Sequence, residues 1–350
     1  RDDRAGFIAG FAGDDRYIVD YLVEEVLQRQ SEAVRHFLLH TSILDRLSGP
    51  LCEAVTGQDG GKAMLQALER GNLFVVPLDD HRRWYRYHHL FADVLRAHLV
   101  DEQPEQVPGL HRRASAWYEQ NGEPSEAIRH ALAAEDFARA ADLVELAGPA
   151  LLQSRQEAMV LGWLEALPDE VVSVRPVLSL LCAATLLSNG KLDGVDARLR
   201  DAEQWVITPD PRERPGTTAA EMVVVNGEEF RRLPGSIAVH RAGYALMLGN
   251  VSETITYARQ ALELVAADDH LGRGSAAALL GLASWTSGDL EAGHQMYAAG
   301  MASLERAGHI ADTLGCAIAL ADIRIAQGRL REAMHTYERA LQGAAEQGGP

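Results

Sequence analysis

Five glycines constrain this chain more than any other feature. Gly122, Gly190, Gly249, Gly288 and Gly328 each stand between two apolar-periodic segments, in the strings NGEPSEAIRHALAA, NGKLDGVDARLRDA, LGNVSETITYARQA, SGDLEAGHQMYAAG and QGRLREAMHTYERA. Seven residues before them stand Ser115, Ala183, Ala242, Gly281 and Ala321, and twelve after stand Ala134, Ala202, Ala261, Gly300 and Ala340. All ten are small. Antiparallel helices joined by a tight turn approach closely only where side chains are small, and the glycine supplies the left-handed residue that ends the first helix. Leu280, Leu290 and Tyr297 in one unit, and Leu320, Leu330 and Tyr337 in the next, are expected to fill the remaining gap. The pattern predicts a mainly α fold built as a helical-repeat solenoid.

The last glycines are 39 and 40 residues apart, whereas the earlier spacings of 68 and 59 call for extra helices or a loop. One such loop is plain at 208–216, TPDPRERPG, with three prolines. The offsets of the small residues resemble those of the tetratricopeptide repeat (TPR). Ahead of residue 110 the pattern changes. Helices are expected over 33–44, 50–55 and 63–70, then two strands over 73–78 and 84–88 around a polar turn, then helix again over 90–99. Three helices followed by a hairpin describe a winged helix. A further amphipathic helix is expected over 16–28. The chain opens in a polar stretch without methionine and reads as a piece of something longer.

Composition removes several classes of function. No apolar run reaches the roughly 18–20 residues of a membrane span. Cys52, Cys182 and Cys316 are too scattered for a disulfide framework or a zinc site, which suits a reducing cytoplasm. With a net charge of −17 the surface as a whole is no match for nucleic acid. The winged-helix region, residues 35–100, holds eight Lys/Arg against seven Asp/Glu, and its third helix, KAMLQALER, has charges only at its ends. A groove-reading helix needs several polar side chains at base edges, so this one is expected to pack internally. The string GQDGGKA at 57–63 falls one residue short of a Walker loop and lacks the Ser or Thr that holds magnesium. His36 and His40 lack the intervening glutamate of a metalloprotease helix. The paired carboxylates at 14–15, 79–80, 228–229 and 268–269 lie in or beside turns, where solvated or capping roles are expected. No catalytic or metal-binding residue is assigned.

The strings GDDRYIVDYLVEEVLQ, FLLHTSILDRLSGPLCEAVTG, LFVVPL, WYRYHHLFADVL and HRRASAWYEQNGEPSEAIRHALAAEDFARAADL resemble the large MalT-type regulators of the LuxR superfamily, which are ATP-dependent signal-transducing transcription activators. The resemblance covers essentially the whole chain and implies the middle of such a protein. Residues 1–32 would end the helical subdomain after an ATPase core that this chain does not contain; 33–105 would be the winged helix and 106–350 the TPR-like sensor. ATP or ADP is then implied for the full-length protein and no cofactor for these residues, which makes the chain a non-enzyme. DNA would be bound only through a further C-terminal domain. By likeness to the Met-His-Asp motif of related nucleotide switches, His88 in YHHL would sense nucleotide, with His89 departing from the aspartate. An inducer or partner protein is expected in the solenoid groove, with Trp285 and Asp322 as candidates, and self-association can accompany activation. The alternative is a constitutive TPR-type protein-interaction scaffold.

Overall fold

A computed structural model describes residues 26–207 and 221–346. Most of the helix expected over 16–28, and all of the proline-rich loop at 208–216, fall outside the described residues. The chain divides into two compact units, ending at Leu143 and starting at Val144.

The first unit opens with α1 (Glu32–Thr41), α2 (Gly49–Thr56) and α3 (Gly61–Arg70), followed by β1 (Val75–Pro77), β2 (Tyr85–Tyr87) and α4 (His89–Glu102). This is a winged helix. Ser31 and Ser48 cap α1 and α2 through their hydroxyls. The strands pair antiparallel with Val75 opposite Tyr87 and Pro77 opposite Tyr85. Leu47, between α1 and α2, adds a third edge through two 2.8 Å backbone bonds with Tyr85. Alternation along β2 buries Tyr85 and Tyr87 and exposes Arg86. The Tyr87 hydroxyl meets the Thr41 hydroxyl at 2.6 Å, so its polar end is satisfied inside the core. Of the Walker-like glycines, Gly57 and Gly60 supply left-handed turns, and Gly61 allows close packing: a Cβ there would lie 2.5 Å from the Gly49 carbonyl oxygen. α3 shows solvent Lys62, Ala63, Ala67 and Arg70, while Arg82 of the wing holds Glu69 at 2.9 Å.

The first glycine-turn pair, α5 (Val107–Gln120) and α6 (Pro124–Ala133), belongs to the same unit and packs on α2. Arg113 donates to the Val55 carbonyl at 2.6 Å, and Arg46 pairs with Glu123 at 2.9 Å while lying 4.8 Å over the Trp84 ring. Its joint is polar. Ser115 donates to the Ala127 carbonyl at 2.8 Å, and the Nδ1 atoms of His111 and His130 lie 2.7 Å apart. Such a contact requires that at least one imidazole be unprotonated. Burial pushes His111 down to about 4 and His130 lower still.

The second unit takes in most of α7 (Phe137–Gln153), then α8 (Glu157–Ala166) and α9 (Asp169–Ser173), the extra helices that the wide spacing required. Four pairs follow: α10 (Pro176–Ser188) with α11 (Val195–Ile207), α12 (Gly227–Met247) with α13 (Val251–Leu264), α14 (His270–Thr286) with α15 (Leu290–Arg306), and α16 (Ile310–Ala326) with α17 (Leu330–Glu346). Glu145, buried beside Arg175, accepts from the backbone N–H groups of Val225 and Asn226 at 3.0 Å each and so fixes the approach to α12. All five turn glycines adopt φ between +69° and +90°, and a Cβ there would touch nothing within 4 Å. Conformation, not space, is what glycine supplies at these turns. Of the ten small residues, Ala340 is half-buried and the other nine are buried. Leu330 departs from expectation. It is 63% exposed, because no described helix covers its side of α17, whereas Leu290 one repeat earlier has α16 beside it.

Candidate functional site

Comparison of the last two pairs position by position explains where the second unit opens. In α14 and α15, Gly274, Gly281, Gly293 and Gly300 bring backbone against backbone. A Cβ on Gly281 would stand 3.0 Å from the Tyr297 nitrogen, and one on Gly300 would stand 3.0 Å from the Gly274 carbonyl oxygen. Forty residues later the same positions hold Leu314, Ala321, Ala333 and Ala340. Every glycine is gone. Ala321 and Ala333 are buried in the α16–α17 joint, while Leu314 and Ala340 line a cavity of about 700 Å³ that lies along α16, between α15 and α17.

The floor is α16, with Ile310, Leu314, Ala317 and Leu320; Ala298 and Met301 of α15 form an apolar wall. Ala317 and Leu320 are buried, and Cys316, close by, has its thiol pushed up to about 11 by burial, so it is a packing residue and no nucleophile. The opposite wall is ionic. Arg331, His335 and Arg339 follow at i, i+4 and i+8, on one stripe of α17, and Glu305 stands on the α15 side. Glu332 is held from outside by Arg329 through two bonds of 2.8 and 2.5 Å, which lowers its pKa. Arg324 is engaged by the Thr336 hydroxyl and by His294, whose Nε2 lies 3.2 Å from the Arg324 Nε. Among the described residues Arg331 and Arg339 have no ion-pair partner and no hydrogen bond. An apolar interior with a few convergent polar groups is the usual constitution of a ligand pocket, and the volume is in the usual range.

The residues singled out from sequence lie elsewhere. Trp285 is half-buried and packs on the cluster of Tyr297, Leu304, Leu320 and Ile323 that joins α14–α15 to α16–α17. Asp322 accepts from the Tyr337 hydroxyl at 3.0 Å, across the α16–α17 joint. Neither lines the cavity. His88 ends the β2 strand as the N-cap of α4, with its ring exposed, 4.3 Å from that of His89, and no side-chain cap bond. The cavity residues had a signal in the sequence, namely the loss of four glycines between adjacent repeats and the basic stripe at Arg331, His335 and Arg339. Among the described residues no group of three His, Cys, Asp or Glu could hold a metal ion, and no helix is long and apolar enough to cross a membrane.

A winged helix and TPR-type helix pairs define a mainly α, helical-repeat protein. Residues 23–107 match the MalT winged helix domain and residues 235–350 the MalT-like TPR region. Residues 23–107 thus belong to the MalT winged helix family and residues 235–350 to the MalT-like TPR family. It is 32% identical over 333 residues to the HTH-type transcriptional regulator MalT of Serratia proteamaculans, a match covering 95% of this chain and 35% of that protein. It is also 38% identical over 181 residues to the serine/threonine-protein kinase PknK of Mycobacterium tuberculosis, covering 52% of this chain and 16% of the kinase. The chain therefore spans about a third or less of these relatives. A crystal structure of a STAND signal-transduction ATPase with a tetratricopeptide repeat sensor, from Pyrococcus horikoshii, shares the fold, with a TM-score of 0.54 at 15% identity. That match covers 93% of this chain and 52% of the other.

Proposed function

We propose that this chain is the sensor and switch portion of an ATP-dependent transcription activator. An inducer, small molecule or protein, enters the cavity of the α15–α17 region, and the winged helix passes the event to a nucleotide-binding module. The chain's own residues carry no catalysis in this reading, and DNA is engaged by another part of the protein. The observation that carries it is the cavity itself, placed where the repeat loses its glycines, within the region that matches the MalT-like TPR family. A stretch of 181 residues of this chain has a 38% identical counterpart in a protein named as a kinase, which supports a module whose output depends on what it is joined to. A ligand shifts such a switch only if it prefers one state, so cavity occupancy must differ between the resting and active forms.

For the nucleotide, ATP or ADP in the full-length protein, His88 is the residue that fits. Its exposed ring stands at the N-terminus of a 14-residue helix, where the backbone favours anions. It would hold the β-phosphate side of the nucleotide, and His88→Ala in the full-length protein is expected to loosen ADP retention. Unchanged ADP affinity would remove His88 from this role.

The sensor reading is tested without knowing the inducer. Ala317 is buried in the cavity floor, so Ala317→Trp fills the space. In the host, transcripts altered by deleting the gene should lose their dependence on growth condition in an Ala317→Trp strain with normal protein level. Intact condition dependence would overturn the reading in favour of a constitutive scaffold.

A further inference from the structure

We infer that the cavity is selective for an apolar molecule carrying an oxyanion head, a carboxylate or a phosphate monoester, and that one guanidinium of α17, Arg331 or Arg339, holds that head. The inference rests on the sensor reading for its biological meaning and on charge and geometry for its content.

The charges at the mouth do not cancel. Glu332 is paired with Arg329 at 2.5 Å and with Arg324 at 3.9 Å, and Arg324 also donates to the Thr336 hydroxyl and the Glu332 carbonyl, so these charges largely offset one another. Two guanidinium groups, Arg331 and Arg339, remain without partners among the described residues, with His335 between them on the same stripe. On the α15 side stands Glu305, whose carboxylate has no ion-pair partner among the described residues. This cationic wall adjoins an apolar floor of Leu314, Ala317 and Leu320. Guanidinium presents a planar fork that matches carboxylate and phosphate oxygens through two parallel bonds. Beside apolar walls, such a pair is less screened than on an open surface.

Geometry adds direction. Eight residues of helix put Arg331 and Arg339 about 12 Å apart along α17, so one head engages one arginine while the apolar body lies along α16. Glu305, on the opposite wall, repels the head and drives it towards α17. A cationic amphiphile meets the reverse field and is excluded.

The test is calorimetric titration of this chain with four probes sharing one tail: decanoate, decyl phosphate, decanol and decyltrimethylammonium. The two anions are expected to bind at least tenfold more tightly than the cation, and the tighter of the two identifies the head. Arg331→Gln or Arg339→Gln should weaken the anions at least tenfold and leave decanol unchanged, while Glu305→Gln should tighten them severalfold. Both arginines are exposed, so these variants should retain the helical spectrum and Tm of the parent. Cation binding equal to anion binding, no effect of either arginine variant on anions, or no binding by any probe would overturn the inference. The sensor reading is untouched by that failure, since its own test uses no ligand.

Discussion

The pair α14–α15 and the pair α16–α17 have the same length, the same turn and the same kind of apolar face, yet one is closed and the other holds a cavity. The difference lies at four positions. Gly274, Gly281, Gly293 and Gly300 let the first pair touch through backbone, whereas the second pair has side chains at these positions, with Ala321 and Ala333 buried in the joint and Leu314 and Ala340 lining the cavity. A binding site in a repeat protein can therefore arise by subtraction: removing the residues that allow close approach leaves a space that neighbouring side chains line. Glycine within a helix costs stability through chain entropy. The closed pair bears that cost four times and recovers it in packing.

The sharpest way to break the comparison is to give the closed pair the residue of the open one. In Gly281→Ala the new methyl would sit 2.8 Å from the Tyr297 ring and 3.0 Å from its backbone nitrogen, and backbone cannot swing aside. We expect a loss of about 3 kcal/mol, the upper range for overpacking, read as a lowered Tm with faster hydrogen exchange in α14 and α15. A neutral result would mean that the pair has slack and that the cavity has another origin. The converse, Ala321→Gly in the open pair, should cost about 1 kcal/mol through helix propensity alone. With Ala321 fully buried, the two helices could then move closer and decanoate binding should weaken.

The pair α5–α6 of the first unit is a third case, closed by polar groups. His111 has its pKa lowered to about 4 by burial, with the nearby Arg129 and Arg96 charges adding to the effect. Because the folded value lies below that of the unfolded chain, the unfolded state binds more protons between the two. The contribution is thus present above about pH 6.5 and lost as pH falls towards 4. Hydrogen exchange in α5 and α6 should quicken over that window more than in α14 and α15. Equal pH dependence in the two pairs would show that the His111–His130 contact does not govern the first.

Much of this was legible in the sequence, because the physics at those positions is local. A left-handed turn residue and a small residue at a helix crossing are each specified by one side chain, so the five turns and nine of the ten small contacts emerged where expected. The winged helix was legible through local signals too, three short helical segments followed by two strands around a polar turn. The cavity was not. It depends on what Leu314 and Ala340 fail to allow, which becomes visible only when two repeats are aligned on each other. Trp285 and Asp322 were chosen by their offset from the turn glycine, and that offset places them on the joints between helices. The third edge at Leu47 also escaped, since a single bridged residue has no pattern of its own.

The smallest effect gives the finest test of how the repeats support one another. Leu290 and Leu330 occupy the same position in successive pairs, at the first residue of α15 and of α17. Leu290 is half-buried, and its carbonyl accepts from the Gln327 side chain at 3.2 Å, at the end of α16. Leu330 is 63% exposed. Truncating a partly buried leucine removes part of the 1.5–3 kcal/mol of its full burial, so Leu290→Ala should cost about 1 kcal/mol. Leu330→Ala should stay within about 0.5 kcal/mol, as surface substitutions do. Thermal melts of the two variants, run side by side, measure what one neighbouring helix adds at an otherwise identical site. Equal shifts would show that Leu330 is covered in solution, and the exposed edge of α17 would then have to be counted as packed.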